Sequence, residues 1–292
     1  MTLPKNDTHR ALLFMFASAI MFGAMAFAAK IAALRLSGPE VAMVRMAVGI
    51  VPVLLVPRWL RSATSVQRFD LILIRGIFGG LAVMLYFVAI QHTSVGLATL
   101  LNYTSPVWSG LMSMLFLRER FTSRVLIPLP VALFGIYLVV NASSGRFDRW
   151  ELAGLCSAIA GGVAITSIRA ARRTESSWAV YASFCFFGML VNAPFALMRW
   201  QWPHADEWLA LAATGLLAMG AQLFMTFSLR WLDAMTTGVI SQLAVIVSFI
   251  FGAVFLHDRV TPAAALGSAL TIGGVIGVMF MTSRARVQPV VT

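Results

Sequence analysis

Two cations and two amides stand out within long apolar stretches of this 292-residue chain: Lys30, Arg45, Asn102 and Gln242. Such groups at bilayer depth do not face lipid, so they must meet other protein, water or a solute. Uncharged polar groups and helix ends can orient an ammonium and a carboxylate, while aromatic rings accept an apolar side chain. Residues of those types in apolar runs are Tyr86, Asn102, Tyr103, Trp108, Trp178, Tyr181, Gln222 and Gln242, with Pro106 freeing a backbone carbonyl near Asn102. Each has a plainer reading as well. Lys30 can snorkel to the interface, or it can meet a solute carboxylate or a neighbouring helix terminus. Arg45 needs carbonyls or water around it, and Glu40, five residues away, is an imperfect same-face partner. Aromatic residues also form interfacial belts, to which Trp59, Trp150, Trp200, Trp202, Trp208 and Trp231 are assigned; Trp178 begins its run and fits either role.

The acids are as informative by where they lie. Asp7, Glu40, Asp70, Glu119, Asp148, Glu151, Glu175, Asp206, Glu207, Asp233 and Asp258 all fall in loops or near the ends of apolar runs. No carboxylate sits at mid-depth to relay protons, which predicts facilitated rather than carboxylate-coupled movement. There is no catalytic triad, HExxH or carboxylate pair, so no catalytic residue and no enzyme are predicted. Gly76, Gly79 and Gly80 resemble a phosphate loop only superficially, since no Lys-Ser/Thr follows; close helix packing accounts for them. Cys156 and Cys185 lack CxxC or His-rich spacing and read as small packing residues, so no metal and no cofactor are expected.

Composition requires a membrane to hold these elements. Sixty per cent of the residues are hydrophobic, 11% are charged, and the mean hydropathy is +0.86, a balance foreign to water-soluble domains. Apolar runs near the ~20 residues that span ~30 Å of hydrocarbon cover 11–34, 39–57, 71–91, 94–117, 125–142, 151–169, 178–199, 208–229, 235–256 and 262–282. That predicts an all-α membrane protein of ten spans. The first run imitates a signal peptide around Ala24–Ala28 but continues without a break into Lys30–Leu36, so it is read as a retained span. The loops are short and leave no room for an extramembrane domain. The net charge of +11 follows from basic loops and gives no reason to invoke nucleic acid. Lys and Arg, with Arg75 counted among the cytoplasmic loop cations, distribute roughly 15 against 6 between the two sides, which places both termini in the cytoplasm.

The run 94–117 is polar in its middle. Thr99, Asn102, Pro106, Ser109 and Ser113 follow at steps of three and four and would share one face of a kinked helix. That face suits a solute pathway or helix–helix adhesion, and the run alone favours neither. An internal repeat is also present. Phe116-Leu117-Arg118-Glu119-Arg120-Phe121-Thr122 returns about 139 residues later as Phe255-Leu256-His257-Asp258-Arg259-Val260-Thr261. The second copy follows a span with its own small and polar stripe: Thr237, Ser241, Ala244, Ser248 and Gly252. Five spans per half is odd, so the second half must insert upside down, with residues 1–145 as one repeat and 146–292 as the other.

On these residues the chain resembles the drug/metabolite transporter superfamily and its EamA-type ten-helix exporters. The carriers are Gly23 and Lys30 in the first span, Arg45 in the second, the two boxes, and Gly135 and Gly274 in the spans that follow them. It is most similar to bacterial amino-acid exporters of the aromatic-exporter, YddG, type. The resemblance implies a multi-pass protein of the bacterial inner membrane, exporting neutral amino acids or related metabolites by alternating access. Its partners would be a small-molecule substrate and the bilayer, with a monomer as one possible working unit. Efflux of drug-like cations is an alternative weakened by the missing deep carboxylate. A nucleotide-sugar-type carrier is another, which would need more cavity cations than Lys30 and Arg45.

Overall fold

The computed structural model describes residues 5–117, 127–144, 148–171, 174–228, 232, 234–258 and 260–285, and no strand occurs among them. The first helices are α1 (Lys5–Ala32), α2 (Gly38–Leu55), α3 (Pro57–Thr64) and α4 (Phe69–His92). Next come α5 (Val95–Asn102), α6 (Ser105–Leu117), α7 (Pro128–Ser144) and α8 (Arg149–Ala171). The remainder are α9 (Ser177–Leu197), α10 (Ala205–Ser228), α11 (Ala234–Ser241), α12 (Leu243–Phe255) and α13 (Pro262–Ala285). Polar residues start these helices at the points where the apolar runs begin. Ser37 and Glu40 form a reciprocal capping box at α2, while Ser94 and Ser176 accept from Leu97 N–H and Ala179 N–H.

Among the described residues, eight helical stretches are long and apolar enough to cross a membrane: His9–Ala32, Gly38–Leu55, Phe69–His92, Arg149–Ile168, Ser177–Leu197, Ala205–Ser228, Thr237–Phe255 and Pro262–Phe280. Two of the ten expected spans differ from that standard. The apolar helix at Pro128–Asn141 is shorter, and the run 94–117 is divided into α5 and α6. The expected kinked helix is therefore a broken one. Pro106 lies in the first turn of α6, where its missing N–H does no harm, and the break falls just before it at Tyr103 and Thr104. The short helix α3 was not expected. The first copy of the repeated box, from Arg118 onward, lies outside the described residues, as do Arg259 in the second copy and the side chain of Ser113.

The helices share an apolar core, yet they also expose large apolar side chains and bury small polar ones. Leu13, Phe16, Ile20, Leu54, Leu55, Phe134, Phe195, Leu209, Leu216, Ile250, Phe255 and Leu266 are exposed, whereas Ser18, Thr99, Ser157, Asn192, Thr214, Ser248 and Thr271 are buried. Lipid covers the first set, and the second finds partners within the protein. Ser18 donates to Ala221 O at 2.7 Å, joining α1 to α10, and Asn192 Nδ2 donates to Gly80 O at 3.3 Å, joining α9 to α4. The principal packing partners are α7 with α13, α1 with α10 and α12, α4 with α8 and α9, α2 with α9 and α10, and α6 with α8. Between α7 and α13 the backbones nearly touch. A methyl group on Gly135 would lie 2.5 Å from Thr271 N, and one on Gly274 would lie 2.5 Å from Ala132 N.

Candidate functional site

Two helices lose their regular hydrogen bonding deep in the bundle, and they do so in the same way. At the first break Thr104 N–H donates to Leu101 O and Val107 N–H to Thr104 O; at the second, Gln242 N–H donates to Val239 O and Val245 N–H to Gln242 O. These i to i−3 bonds tighten the turn and leave carbonyls to other donors. Hydroxyls supply some of them: Thr104 Oγ1 donates to Leu101 O at 2.7 Å and Ser241 Oγ to Gly238 O at 2.6 Å. Gln242 then reaches across and donates from Nε2 to Tyr103 O at 3.3 Å. It is 3% exposed, so an amide from the second break answers a carbonyl of the first inside the protein.

Arg45 lies beside this junction. Tyr181, Cys185, Tyr86 and Tyr103 are its leading polar neighbours, drawn from α9, α4 and the first break. The guanidinium stands 5.8 Å from the ring centre of Phe87 and 5.4 Å from that of Phe184. Its Nε and Nη1 are buried with no hydrogen-bond acceptor among the described residues. Tyr86 Oη lies 2.8 Å from Thr99 Oγ1, which itself donates to Val95 O, so this hydroxyl is fixed to α5. Arg45, Met46, Tyr181, Phe184, Cys185 and Ala218 enclose a cavity of 10 Å³, room for about one water. The space beside Arg45 in this conformation is smaller than a solute of amino-acid size.

Tyr86, Tyr103, Tyr181, Gln242 and Arg45 are thus brought together, and the other candidates are not. Asn102 donates to Ser157 Oγ at 2.9 Å, and Ser109 lies 3.3 Å from Thr166, so the polar face of the broken span joins α8. In this conformation those residues make contacts between helices. Trp108 borders a separate apolar cavity of 90 Å³ among α6, α7 and α8. Trp178 stacks on Trp59 at 4.3 Å and 16°, clamping α3 to the start of α9. Gln222 is half-buried on α10, and Pro106 is half-buried in the first turn of α6. Lys30 donates to Ile90 O, Gln91 O and Thr93 O at 2.8, 3.2 and 2.8 Å, the carbonyls that end α4. A cation at a helix C-terminus suits the dipole as well as the orphan carbonyls.

Glu40 does not face Arg45. It accepts from Ser37 N–H at 2.7 Å and from Gln201 N–H at 2.6 Å, tying the start of α2 to the segment before α10. Arg35 donates to Gln201 and Trp202 of the same segment and pairs with Glu207 in the first turn of α10 at 2.6 Å, which holds the guanidinium pKa above its ordinary value. Sequence reasoning missed Arg75, which it grouped with the loop cations. The residue is buried in the second turn of α4, 4.1 Å from the centre of the Phe184 ring that Arg45 also approaches. The available signal was its place inside the apolar run 71–91.

Comparison with known proteins gives a consistent set. The EamA-like transporter family matches twice, at residues 9–141 and 148–280. The pseudopaline exporter CntI of Pseudomonas aeruginosa is 27% identical over 270 residues, 91% of this chain and 93% of that one. Human solute carrier family 35 member G1 is 27% identical over 72% of this chain and 62% of its own length. An uncharacterized transporter of Helicobacter pylori is 25% identical over 70% of this chain and 71% of its own. One crystal structure superimposes with a TM-score of 0.61 over 94% of this chain and 98% of the other; at 22% identity the likeness is one of fold.

Proposed function

The chain belongs to the EamA-like transporter family, and on that premise we propose that it exports amino acids, aromatic and other neutral ones, or related metabolites, by alternating access. It is a multi-pass membrane protein that moves small solutes, and it is not an enzyme. In the proposed reading ten spans form two oppositely inserted halves, 1–145 and 146–292, in a bacterial inner membrane with both termini cytoplasmic. Swapping the halves exchanges α1 with α8 and α4 with α10, and the packing pairs support such an exchange. The pair α1–α10 becomes α8–α4, α1–α12 becomes α8–α6, and α2–α10 becomes α9–α4. The twofold family match supports it too.

One observation carries the functional reading: the two broken helices meet, through Gln242 and Tyr103, at their breaks. Irregular backbone at membrane depth is tolerated where it is sheltered by protein or lines a cavity, and interrupted helices from two repeats are where solute sites form. Tyr86, Tyr103, Tyr181, Gln242 and Arg45 would form the wall of the site once the halves rock apart. Counterflow of labelled neutral amino acids in proteoliposomes tests this. Exchange without an imposed pH gradient is expected, since the described acids sit in loops or in first helical turns. A strict need for a pH gradient would overturn facilitated movement, and no flux of any solute tested would overturn export. Export of another metabolite is the second reading, favoured by the relative named as a pseudopaline exporter.

A further inference from the structure

We infer that Arg45 and Arg75 form an anion subsite for the carboxylate of the transported solute. The inference rests on the transporter reading above and narrows its cargo to carboxylate-bearing solutes. Both side chains are 6% exposed, and they come from adjacent helices to the same aromatic ring, at 5.4 and 4.1 Å from the centre of Phe184. Arg45 Nε and Nη1 and Arg75 Nε are buried without a hydrogen-bond acceptor among the described residues. Arg45 faces the cavity that Tyr181, Phe184 and Cys185 help to enclose. Tyr181, Cys185, Tyr86 and Tyr103 are the polar groups that act most on Arg45, and Cys185 and Arg45 those that act most on Arg75; none of these is a carboxylate.

A purely structural role explains one such cation better than two. A single guanidinium on an aromatic face gains a modest cation–π attraction. A second on the same ring adds like-charge repulsion in a region of low dielectric, where buried charges call for partners. An anion between them removes the repulsion and gives the empty N–H groups an acceptor. A carboxylate matches the planar fork of a guanidinium through paired hydrogen bonds. The sequence prepares the space: the side chain of Arg75 lies against Gly79, so that any Cβ at position 79 would collide with Nη1. The phenol of Tyr181 and the thiol of Cys185 crowd Gly49 in the same way, at 2.7 and 3.2 Å from where its Cβ would be, and both are potential donors beside the cavity.

The test uses the full chain, purified in detergent and reconstituted in proteoliposomes. Phenylalanine and succinate are compared with phenylalaninamide and succinamide, and with inorganic phosphate, by intrinsic fluorescence titration. At least one carboxylate should bind tenfold or more tightly than its amide. Arg45→Gln and Arg75→Gln should each abolish that preference. Gly79→Ala keeps both charges but displaces Arg75, and it should weaken carboxylate binding severalfold in a protein that is still monodisperse. Equal binding of acids and amides, no binding of either carboxylate, preference for phosphate, or an unchanged preference in the Arg45→Gln/Arg75→Gln double variant would each overturn the subsite. Counterflow separates the two readings. Flux of neutral solutes without carboxylate preference refutes the subsite alone, whereas no flux of any solute refutes the transporter reading.

Discussion

Lys30 and Arg45 lie in successive helices, and the protein treats them in opposite ways. The ammonium of Lys30 has three carbonyl acceptors at the end of α4, within 3.2 Å. The guanidinium of Arg45 has two nitrogens with none, and a second guanidinium shares its aromatic neighbour. One cation completes a helix terminus; the other is left in need of an anion. Position in the sequence and residue type are nearly the same, so the difference teaches that a buried charge must be classified by its acceptors. The largest predicted effect follows. Lys30→Met should destabilise the protein by about 2–3 kcal/mol, since hydrogen bonds to a charged group are lost and carbonyls are left bare. Arg45→Met should leave stability unchanged or raise it by about 1 kcal/mol, while carboxylate transport falls at least tenfold. Thermal unfolding in detergent and counterflow measure the two arms; equal losses of stability would erase the distinction.

The seam between α7 and α13 should side with Lys30. Gly135→Val places a branched side chain against Thr271 N and Gly267 O, backbone atoms that cannot yield as a side-chain tip would. An overpacked contact of this kind costs about 1–3 kcal/mol. The expected result is a lower melting temperature with the acid-over-amide preference intact. A loss of preference at unchanged stability would mean that the seam takes part in the site.

Much of this architecture was legible from the chain. Gly76, Gly79 and Gly80, the polar stripes and Pro106 announced close packing and a kink, because backbone geometry follows from residue type. The likeness of the two halves was visible as well, and the family matches once in each. The second break was less so: nothing at Gln242 resembles a proline signal, and its interruption becomes apparent only from hydrogen bonds that skip to i−3. Arg75 was misplaced because, four residues into the run 71–91, it was counted with the loop cations when the charge bias between the two sides was read. Trp178 and Asn102 belonged to classes suited to binding, yet Trp59 and Ser157 claimed them. Partners from distant segments leave no mark on local spacing.

Gln242 occupies ground between the two cations. Its bond to Tyr103 O is neutral and long at 3.3 Å, so Gln242→Leu should cost only about 1 kcal/mol. Transport should fall further than stability does, since the contact joins the two breaks. A variant that unfolds several degrees earlier yet transports normally would recast the contact as simple glue.

The smallest effect concerns Asp258, which faces Lys30 from just past the end of α12. Its Oδ2 is buried without a hydrogen-bond partner among the described residues, while Val95 N–H donates to the carboxylate. Burial raises its pKa above the ordinary carboxylate value, and the attraction of Lys30 and the Val95 bond only partly offset this. The folded state then holds the proton more tightly than the unfolded chain does. Its contribution is present in full at acid pH, below the ordinary carboxylate pKa of ~3.9, and is lost as the pH climbs through the raised one. Asp258→Asn cannot ionise, so its melting temperature should match the parent near pH 4 and exceed it slightly at pH 8. If the parent is the more stable at pH 8, the attraction of Lys30 outweighs burial. Lys30 would then be a member of an ion pair joining the two repeats, and its contrast with Arg45 would rest on a carboxylate rather than on carbonyls alone.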